Sequence, residues 1–317
     1  MGHAPGEELI QAAALRKTYR SGGDGAFTAV DGIDFSVRRG EAFGLLGSNG
    51  AGKSSTMRMI ACVSQPSGGD LRILGLDAAT RGPEIRARLG VVPQDDTVDT
   101  ELTVLENLLI YGRYFGLPRR TVRERAGHLL EFARLSDKAR APVQSLSGGM
   151  RRRLTIARAL VNDPDIVLLD EPTTGLDPQA RHLLWERLFR LRQDGVTLVV
   201  TTHYMDEAEQ LCDRLVVMDA GRIVAMGSPR ELIDRHCARE VLELRFTQAD
   251  RETMVAKARD LFARVEVLPD RVLVSADDGE EALAIVGARA LDPVTTLVRR
   301  STLEDVFLAL TGRALTD

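Results

Sequence analysis

The chain has 317 residues, of which 44% are hydrophobic and 28% are charged, and its formal net charge is −4. This composition is typical of a globular protein with room for one large α/β domain and a smaller one. A slightly acidic chain, with an isoelectric point of about 5.9, has no electrostatic footprint for nucleic acid, so we expect no nucleic-acid partner.

The apolar runs are short, as at 166–169 and 196–200, whereas a membrane-crossing helix needs about 20 apolar residues. Residues 1–8 lack the apolar core of a secretion signal. Any membrane role is therefore expected to depend on a partner. The three cysteines show neither zinc-site nor CxxC spacing and are expected to be neutral thiols in a reducing compartment: Cys62, Cys212 and Cys237.

The first predicted elements surround a candidate phosphate-binding loop. Residues 9–37 alternate like strands around the glycine cluster 21–25, which predicts a hairpin tip or a flexible loop. An apolar strand is predicted at 41–46, a glycine-rich turn at 47–52 and a helix at 53–62. Strand, glycine loop and helix form the context that such a loop requires.

The middle of the chain alternates helices with buried strands. Residues 103–139 are predicted to be mostly helical, as are 149–160 and 178–193. The apolar, β-branched runs 166–169 and 197–200 indicate buried parallel strands. This alternation predicts an α/β fold with a mixed core and a parallel sheet.

The character of the chain changes after residue 236. Strands and helices alternate in a short tail, predicted at 241–246, 252–263, 264–274, 280–288, 294–298 and 303–310. The tail predicts a small α+β domain, for which a ferredoxin-like arrangement is one candidate. We therefore expect a nucleotide-binding domain at 1–236, with a helical subdomain at about 95–160, and an accessory domain at 237–317.

One segment fits the phosphate-loop motif G-x-x-x-x-G-K-[ST] in full: Gly47, Ser48, Asn49, Gly50, Ala51, Gly52, Lys53 and Ser54. Its glycines let backbone N–H groups point at a phosphate chain, and the helix N-terminus adds partial positive charge. Lys53 is expected to hold the β- and γ-phosphates, and Ser54 to offer a hydroxyl to Mg²⁺.

The second motif is a pair of carboxylates, Asp170 and Glu171, at the end of an apolar strand. The first is expected to hold Mg²⁺ beside the phosphate loop. The second is expected to act as general base on the attacking water, or to orient it. These two motifs predict a nucleotide hydrolase, but they leave kinases, GTPases, helicases and transport ATPases open. The absence of an Asn-Lys-x-Asp element disfavours a GTPase.

The choice among these classes depends on Ser147, Gly148 and Gly149, which open a predicted helix with Ser147 as its cap. Such a helix end binds an anion. With this element the chain resembles the ABC transporter ATPase family over residues 9–233. The resemblance implies that these three residues bind the γ-phosphate of an ATP held by another subunit, so that two subunits enclose ATP.

The same resemblance assigns further positions in matching order. It implies that Tyr19 stacks on adenine, that Gln94 of the Q-loop reaches Mg²⁺ or water, that Asp177 of the D-loop lies at the subunit seam and that His203 is the switch histidine on the γ-phosphate. The chain departs from the family's usual residues at three positions and has an insertion at 21–27 after Tyr19. The departures are Ser48 for Pro, Ser55 for Thr, which keeps a hydroxyl, and Met150 for Gln.

Within the family the chain looks most like ATP-binding subunits of ABC-2 type exporters, in particular the nodulation lipo-oligosaccharide and daunorubicin-resistance groups. The stretches that carry this likeness are 112–116, 130–135, 180–188, 201–209 and 303–313. The resemblance implies ATP and Mg²⁺ as cofactors, a second ATP-binding subunit in a homodimer, and an ABC-2 type permease. It also implies a position at the cytoplasmic face of a bacterial membrane, held there by the permease.

Two other hypotheses about the function remain open from the sequence. A soluble ABC ATPase that acts on nucleic acid or the ribosome is disfavoured by the acidic charge and by the single cassette. A nucleotide sensor without hydrolysis is disfavoured because Asp170, Glu171 and His203 are all present.

Overall fold

The computed structural model describes residues 6–20 and 25–312. They form two compact units, one that ends at Met226 and one that begins at Gly227. The boundary predicted at 236/237 lies one helix later and stays a prediction. Within the described ranges, no helix is both long and apolar enough to cross a membrane.

The first unit alternates strands and helices along most of its length. Its elements are β1 (Glu8–Arg20), β2 (Ala26–Arg38), β3 (Ala42–Gly47), α1 (Lys53–Ile60), β4 (Gly68–Ile73), β5 (Leu76–Asp77), α2 (Gly82–Arg86), β6 (Leu89–Val92), α3 (Val104–Tyr114), α4 (Arg119–Phe132), α5 (Gly148–Ala159), β7 (Ile166–Asp170), α6 (Pro178–Gln193), β8 (Thr197–Thr202), α7 (Met205–Leu211), β9 (Arg214–Asp219) and β10 (Arg222–Gly227).

A six-stranded sheet in the order β10-β9-β3-β8-β7-β6 forms the centre of this unit. Strand β3 pairs in parallel with β8 and β9, and β7 pairs in parallel with β6 and β8. Every residue of β3 and β8 is buried, which explains why β3 is a continuous apolar run and why β8 combines apolar residues with threonines, rather than alternating with charged residues. The predicted parallel sheet is confirmed.

A second sheet of the first unit has the order β2-β1-β4-β5 and is antiparallel. Arg20 of β1 lies opposite Ala26 of β2, so the two predicted strands pair with each other. Residues 21–24 of the predicted hairpin tip lie outside the described residues.

The helices of the predicted helical subdomain pack into a separate cluster. Helix α3 begins with a capping box between Thr103 and Glu106, and α3, α4 and α5 pack together around buried side chains such as Leu108, Val122 and Leu154. The chain leaves β6 at the carboxyl edge of the parallel sheet, passes through this cluster and enters β7 at the opposite edge.

The second unit contains α8 (Pro229–His236), β11 (Glu240–Arg245), α9 (Arg251–Leu261), β12 (Val265–Val267), β13 (Val272–Ala276), α10 (Gly279–Ala288), β14 (Thr295–Arg300) and α11 (Leu303–Thr311). Its sheet has the order β12-β13-β11-β14, and every pairing is antiparallel. This is the split β-α-β arrangement of a ferredoxin-like domain. Its core includes Leu242, Val274 and Val286. The α+β tail is therefore confirmed.

Several elements had no assignment from the sequence, among them β4, β5, α2, β6 and α7. Most are short, and a run of two to six residues shows too few periods to separate strand from turn. The three cysteines are free. Burial raises the pKa of the Cys62 and Cys212 thiols, and it raises that of Cys237 to about 11.

Candidate active site

The carboxyl ends of four neighbouring parallel strands meet at one edge of the central sheet. The phosphate loop follows β3, Gln94 follows β6, Glu171 follows β7 and His203 follows β8. In an open parallel sheet this edge is where ligands bind. The topology therefore brings together motifs that lie up to about 150 residues apart in the sequence.

The glycines of the phosphate loop are required by its surroundings. A Cβ at Gly47 would lie 2.4 Å from the carbonyl oxygen of Met218, and one at Gly52 would lie 2.5 Å from that of Ala29. Gly52 also has a φ of +104° and Gly50 a φ of +83°, which side chains disfavour. The loop can take this tight path only with glycine at these positions.

Lys53 is the buried cation of the site. Its Nζ donates to the carbonyl oxygens of Gly47 at 2.7 Å and Ser48 at 3.1 Å, and lies 3.7 Å from Oε1 of Glu171. Burial lowers the pKa of Lys53, while the carboxylates of Glu171 and Asp170 act in the opposite direction. The ammonium is thus held over the phosphate loop by its carbonyls and by one carboxylate.

Glu171 lies at the centre of the site and is only 7% exposed. Its Oε1 lies 3.3 Å from Nδ1 of His203. Its Oε2 accepts from Nε2 of Gln94 at 3.4 Å and from the hydroxyl of Thr174 at 3.3 Å. Lys53, Gln94 and His203, which were predicted from separate motifs, therefore contact the same carboxylate.

Asp170 precedes Glu171 at the end of β7. The hydroxyl of Thr201 on β8 donates to its Oδ1. The same hydroxyl and the carbonyl of Thr201 accept from the backbone N–H of Glu171, at 3.0 and 3.1 Å. Thr201 thus fixes both acidic residues. Its role could not be predicted from the sequence, because a threonine inside an apolar strand indicates only β-propensity.

A pocket of about 190 Å³ opens above the phosphate loop. Its lining joins the loop to the catalytic side chains and consists of Phe27, Ala29, Ser48, Asn49, Gly50, Gly52, Lys53, Ser54, Ser55, Gln94 and Glu171. Of the other loop residues, Gly47 contributes a carbonyl to Lys53, and Ala51 is buried behind the pocket. A pocket that combines a lysine, backbone N–H groups and a buried carboxylate can bind a phosphate chain and position a water molecule to attack it.

Two family models match this chain. The model described as ABC transporter matches residues 30–174, and the model described as the C-terminal domain of the nodulation factor export protein NodI matches residues 250–312. Among curated relatives, the Nod factor export ATP-binding protein I of Ralstonia nicotianae is 49% identical over 98% of this chain and 95% of its own length. The protein of the same name from Rhizobium meliloti is 47% identical over 97% of this chain and 89% of its own length.

The chain belongs to the ABC transporter family.

Solved structures agree with this assignment. A dimeric ATP-binding cassette in a post-hydrolysis state, bound to ADP and phosphate, is 28% identical with a TM-score of 0.64, and covers 69% of this chain and 98% of that one. A subunit of an ABC transporter complex from Clostridium perfringens is 28% identical with a TM-score of 0.65, over 72% of this chain and 91% of that one. The predicted cassette fold and the predicted ABC-type ATPase are therefore confirmed.

The residues that the ABC resemblance assigns to the other subunit's ATP or to the subunit seam lie elsewhere. Ser147 caps α5 by accepting from the N–H of Met150 at 3.3 Å, and Asp177 caps α6 by accepting from that of Ala180 at 2.8 Å. Both caps are exposed. None of Ser147, Gly148, Gly149 and Asp177 is among the described residues that line the phosphate pocket.

Tyr19, the predicted adenine-stacking residue, lies on β1 next to the phosphate loop. Its hydroxyl donates to that of Ser55 at 3.4 Å, and Nζ of Lys17 lies 5.0 Å from its ring centre. Phe27, directly opposite on β2, is 59% exposed and lines the phosphate pocket. Phe27 could not be predicted from the sequence, because the local pattern does not show the strand pairing that places it at the loop.

Proposed function

We propose that this chain is the ATP-hydrolysing motor of a membrane exporter, that it works as a homodimer around two ATP molecules, and that it drives an ABC-2 type permease. The relatives are named for Nod factor export, which supports a lipo-oligosaccharide as cargo. The convergence of Lys53, Gln94 and His203 on the buried carboxylate of Glu171 is the observation that carries the proposal.

In this proposal the phosphate loop and Lys53 bind the β- and γ-phosphates, and the ring of Tyr19 stacks on the adenine. Ser54, Asp170 and the amide oxygen of Gln94 are hard oxygen donors that fit Mg²⁺, which neutralises charge that develops on the phosphate oxygens. The described residues contain no group of three or more His, Cys, Asp or Glu that could hold a metal. Mg²⁺ would therefore need phosphate and water oxygens as well, as it prefers.

Hydrolysis then needs one proton acceptor beside the γ-phosphate. The water oxygen forms a bond to the γ-phosphorus, the bond to ADP breaks, and the water's proton passes to the carboxylate of Glu171. His203 and Gln94 orient that carboxylate, because each contacts one of its oxygens. A positioned base of this kind contributes about 10²- to 10⁴-fold to the rate.

The exposed start of α5 supports the dimer. Ser147, Gly148 and Gly149 present free N–H groups and the positive end of a helix dipole, yet the phosphate pocket of their own chain does not include them. A second copy would bring the missing γ-phosphate to Ser147. Asp177, exposed at the start of α6, would then lie at the seam.

A larger groove supports coupling to a permease. A cavity of about 810 Å³ is lined on one side by the Pro93–Asp95 segment and on another by Tyr111, Tyr114 and Phe115, and Tyr114 is 80% exposed. A permease segment in this groove would press on the backbone of Gln94, whose side chain contacts Glu171. We propose that this contact holds the chain at the cytoplasmic face of the membrane.

The test of the motor is Glu171→Gln, which keeps the size of the side chain and removes the base. We expect the rate of ATP hydrolysis to fall by at least about 100-fold and a dimer to accumulate with ATP and Mg²⁺, measured by light scattering after gel filtration. The control is Glu207→Gln, which changes another buried carboxylate outside the phosphate pocket and should still hydrolyse ATP. A Glu171→Gln protein that stays monomeric in ATP would contradict the two-subunit mechanism.

The test of the exporter is co-purification from membranes. We expect a protein with about six membrane-spanning helices to accompany the tagged chain, and we expect Tyr114→Ser to weaken this association while ATP binding persists. A chain that remains free of membranes and instead retains RNA would favour the soluble ABC ATPase.

A further inference from the structure

Arg152 is a buried cation that neither the sequence motifs nor the proposed mechanism uses. It lies on α5, five residues after the Ser147 cap, and is only 4% exposed. A buried guanidinium is costly unless its N–H groups are satisfied. Its partners therefore indicate what it does.

All five N–H groups of the Arg152 side chain point at backbone carbonyls. Nε donates to Pro172 at 2.8 Å. Nη1 donates to Pro93 at 2.5 Å and to Gln94 at 3.1 Å. Nη2 donates to Asp170 and to Glu171, both at 3.2 Å. The planar, five-donor fork of arginine is thus fully used, which no lysine or amide side chain could match.

These carbonyls belong to two different segments of the site. Pro93 and Gln94 follow β6, and the segment from Asp170 to Pro172 follows β7. One side chain thereby joins α5 to the backbone of Gln94 and to the backbone of Glu171. A displacement of α5 must either carry both segments along or break charge-assisted hydrogen bonds.

In the proposed dimer, these groups serve different ATP molecules. Ser147, at the start of α5, contacts the ATP bound by the partner subunit, whereas Gln94 and Glu171 serve the ATP bound by their own chain. We propose that Arg152 is a positioning residue that couples the two ATP sites: engagement of the partner's ATP by α5 sets Gln94 and Glu171 for hydrolysis in the same chain. This inference rests on the proposed dimeric ATPase.

The contacts make the coupling specific to Arg152 among its neighbours on the helix. Arg153 also donates from α5, to the carbonyls of Ala133 at 2.7 Å and Arg134 at 3.5 Å, but both acceptors lie at the end of α4. Arg153 therefore ties α5 to the helical cluster and not to the catalytic segments. It provides a matched control on the same helix.

The experiment compares Arg152→Lys with Arg153→Lys in the full chain, with steady-state hydrolysis measured over a range of ATP concentrations. We expect Arg152→Lys to lower kcat by about 10- to 100-fold, as for a catalytic group displaced by a fraction of an ångström to an ångström. We also expect the Hill coefficient to fall from above 1 in the parent to about 1. The affinity for mant-ATP without Mg²⁺ should stay within about twofold, because Arg152 does not line the phosphate pocket. Arg153→Lys should retain the parent's Hill coefficient.

A loss of folding is separated from a loss of coupling by Tm and by a second variant, Arg152→Gln, which is analysed in the same way if the lysine variant does not fold. The inference is overturned if the parent shows no cooperativity, or if the Arg152 variants keep its Hill coefficient. A parallel Glu171→Gln sample keeps the two proposals apart. If that sample forms no ATP-bound dimer, the proposed function fails; if it does and the Arg152 variants stay cooperative, only the coupling fails.

Discussion

At the scale of single residues, Glu171 is fixed through its backbone as well as its side chain. Its φ is +44°, in the left-handed region, which costs a non-glycine residue about 1–3 kcal/mol. Thr201 holds this conformation by accepting twice from the N–H of Glu171. The strain turns the carboxylate towards Lys53 and His203 instead of continuing along the line of β7.

Whether a residue of the site can be predicted from the sequence depends on whether its role resides in its side chain or in the backbone that it contacts. Lys53, Glu171 and His203 could be predicted because their chemistry resides in the residue type. Arg152 could not, because its five acceptors are carbonyls, and a carbonyl is the same whatever residue carries it. Phe27 could not be predicted either, because its place above the loop depends on its pairing with Tyr19.

Tyr19 and Phe27 lead to a prediction about the adenine site. Both rings lie beside the phosphate loop, so we expect Tyr19→Ala and Phe27→Ala each to raise the Kd for ATP by about 5- to 150-fold, since stacking on a base is worth about 1–3 kcal/mol. Tyr19→Phe should change the Kd by less than about threefold, because it loses only the bond to Ser55. Titration with mant-ATP measures these affinities.

The control for the aromatic variants is Phe189→Ala, an exposed phenylalanine on α6 outside the pocket. Its Kd should equal that of the parent. If Phe27→Ala binds ATP as the parent does while Tyr19→Ala does not, Tyr19 alone provides the stacking surface.

At the scale of elements, the long patterned segments were predictable and the short ones were not. The helix predicted at 178–193 has the bounds of α6, and the strand predicted at 166–169 is β7 with one residue more. Helix α8 was missed although its capping box, Ser228 with Glu231, is present in the sequence. A cap motif followed by only eight helical residues offers too little apolar periodicity to support it.

The start of α5 leads to a prediction that separates capping from phosphate binding. In Ser147→Asp the aspartate caps a helix as well as serine does, so we expect Tm to stay within about 3 °C of the parent. Its negative charge would face the γ-phosphate of the partner's ATP. In the Glu171→Gln background we therefore expect the ATP-dependent dimer to weaken by at least about 10-fold, measured by analytical ultracentrifugation.

The matched control for this variant is Ser228→Asp. Ser228 caps α8 in the same manner, accepting from the N–H of Glu231 at 3.2 Å, but lies in the second unit. It should leave the dimer unchanged. An unaltered dimer in Ser147→Asp would show that α5 does not meet the phosphate.

At the scale of the whole molecule, the chain separates nucleotide chemistry from its C-terminal unit. All residues that line the phosphate pocket precede Met226, as do Ser147 and Asp177. The ferredoxin-like unit has its own core and its own ion pairs, in which Arg299 bonds Glu243 and Asp305. A role for this unit in dimerisation or regulation is a hypothesis that truncation can test.

Two truncations also test where the functional domains divide. Leu232 of α8 is fully buried, and α8 packs against α11 of the second unit. A chain cut after residue 236 keeps α8 but loses α11, and so exposes apolar surface, whereas a chain cut after residue 226 loses both. We therefore expect 1–236 to aggregate at a lower temperature than 1–226, measured by light scattering during heating.

The same pair of truncations measures what the C-terminal unit adds to the dimer. With Glu171→Gln, we expect 1–226 still to dimerise in ATP, because every residue assigned to the ATP-bound seam remains. If its dimer dissociates at the same ATP concentration as that of the full chain, the unit has no part in dimerisation, and unchanged ATPase and transport rates would exclude a regulatory role as well. A wholly monomeric 1–226 would mean that ATP between Lys53 and Ser147 cannot hold two cassettes together without the second unit.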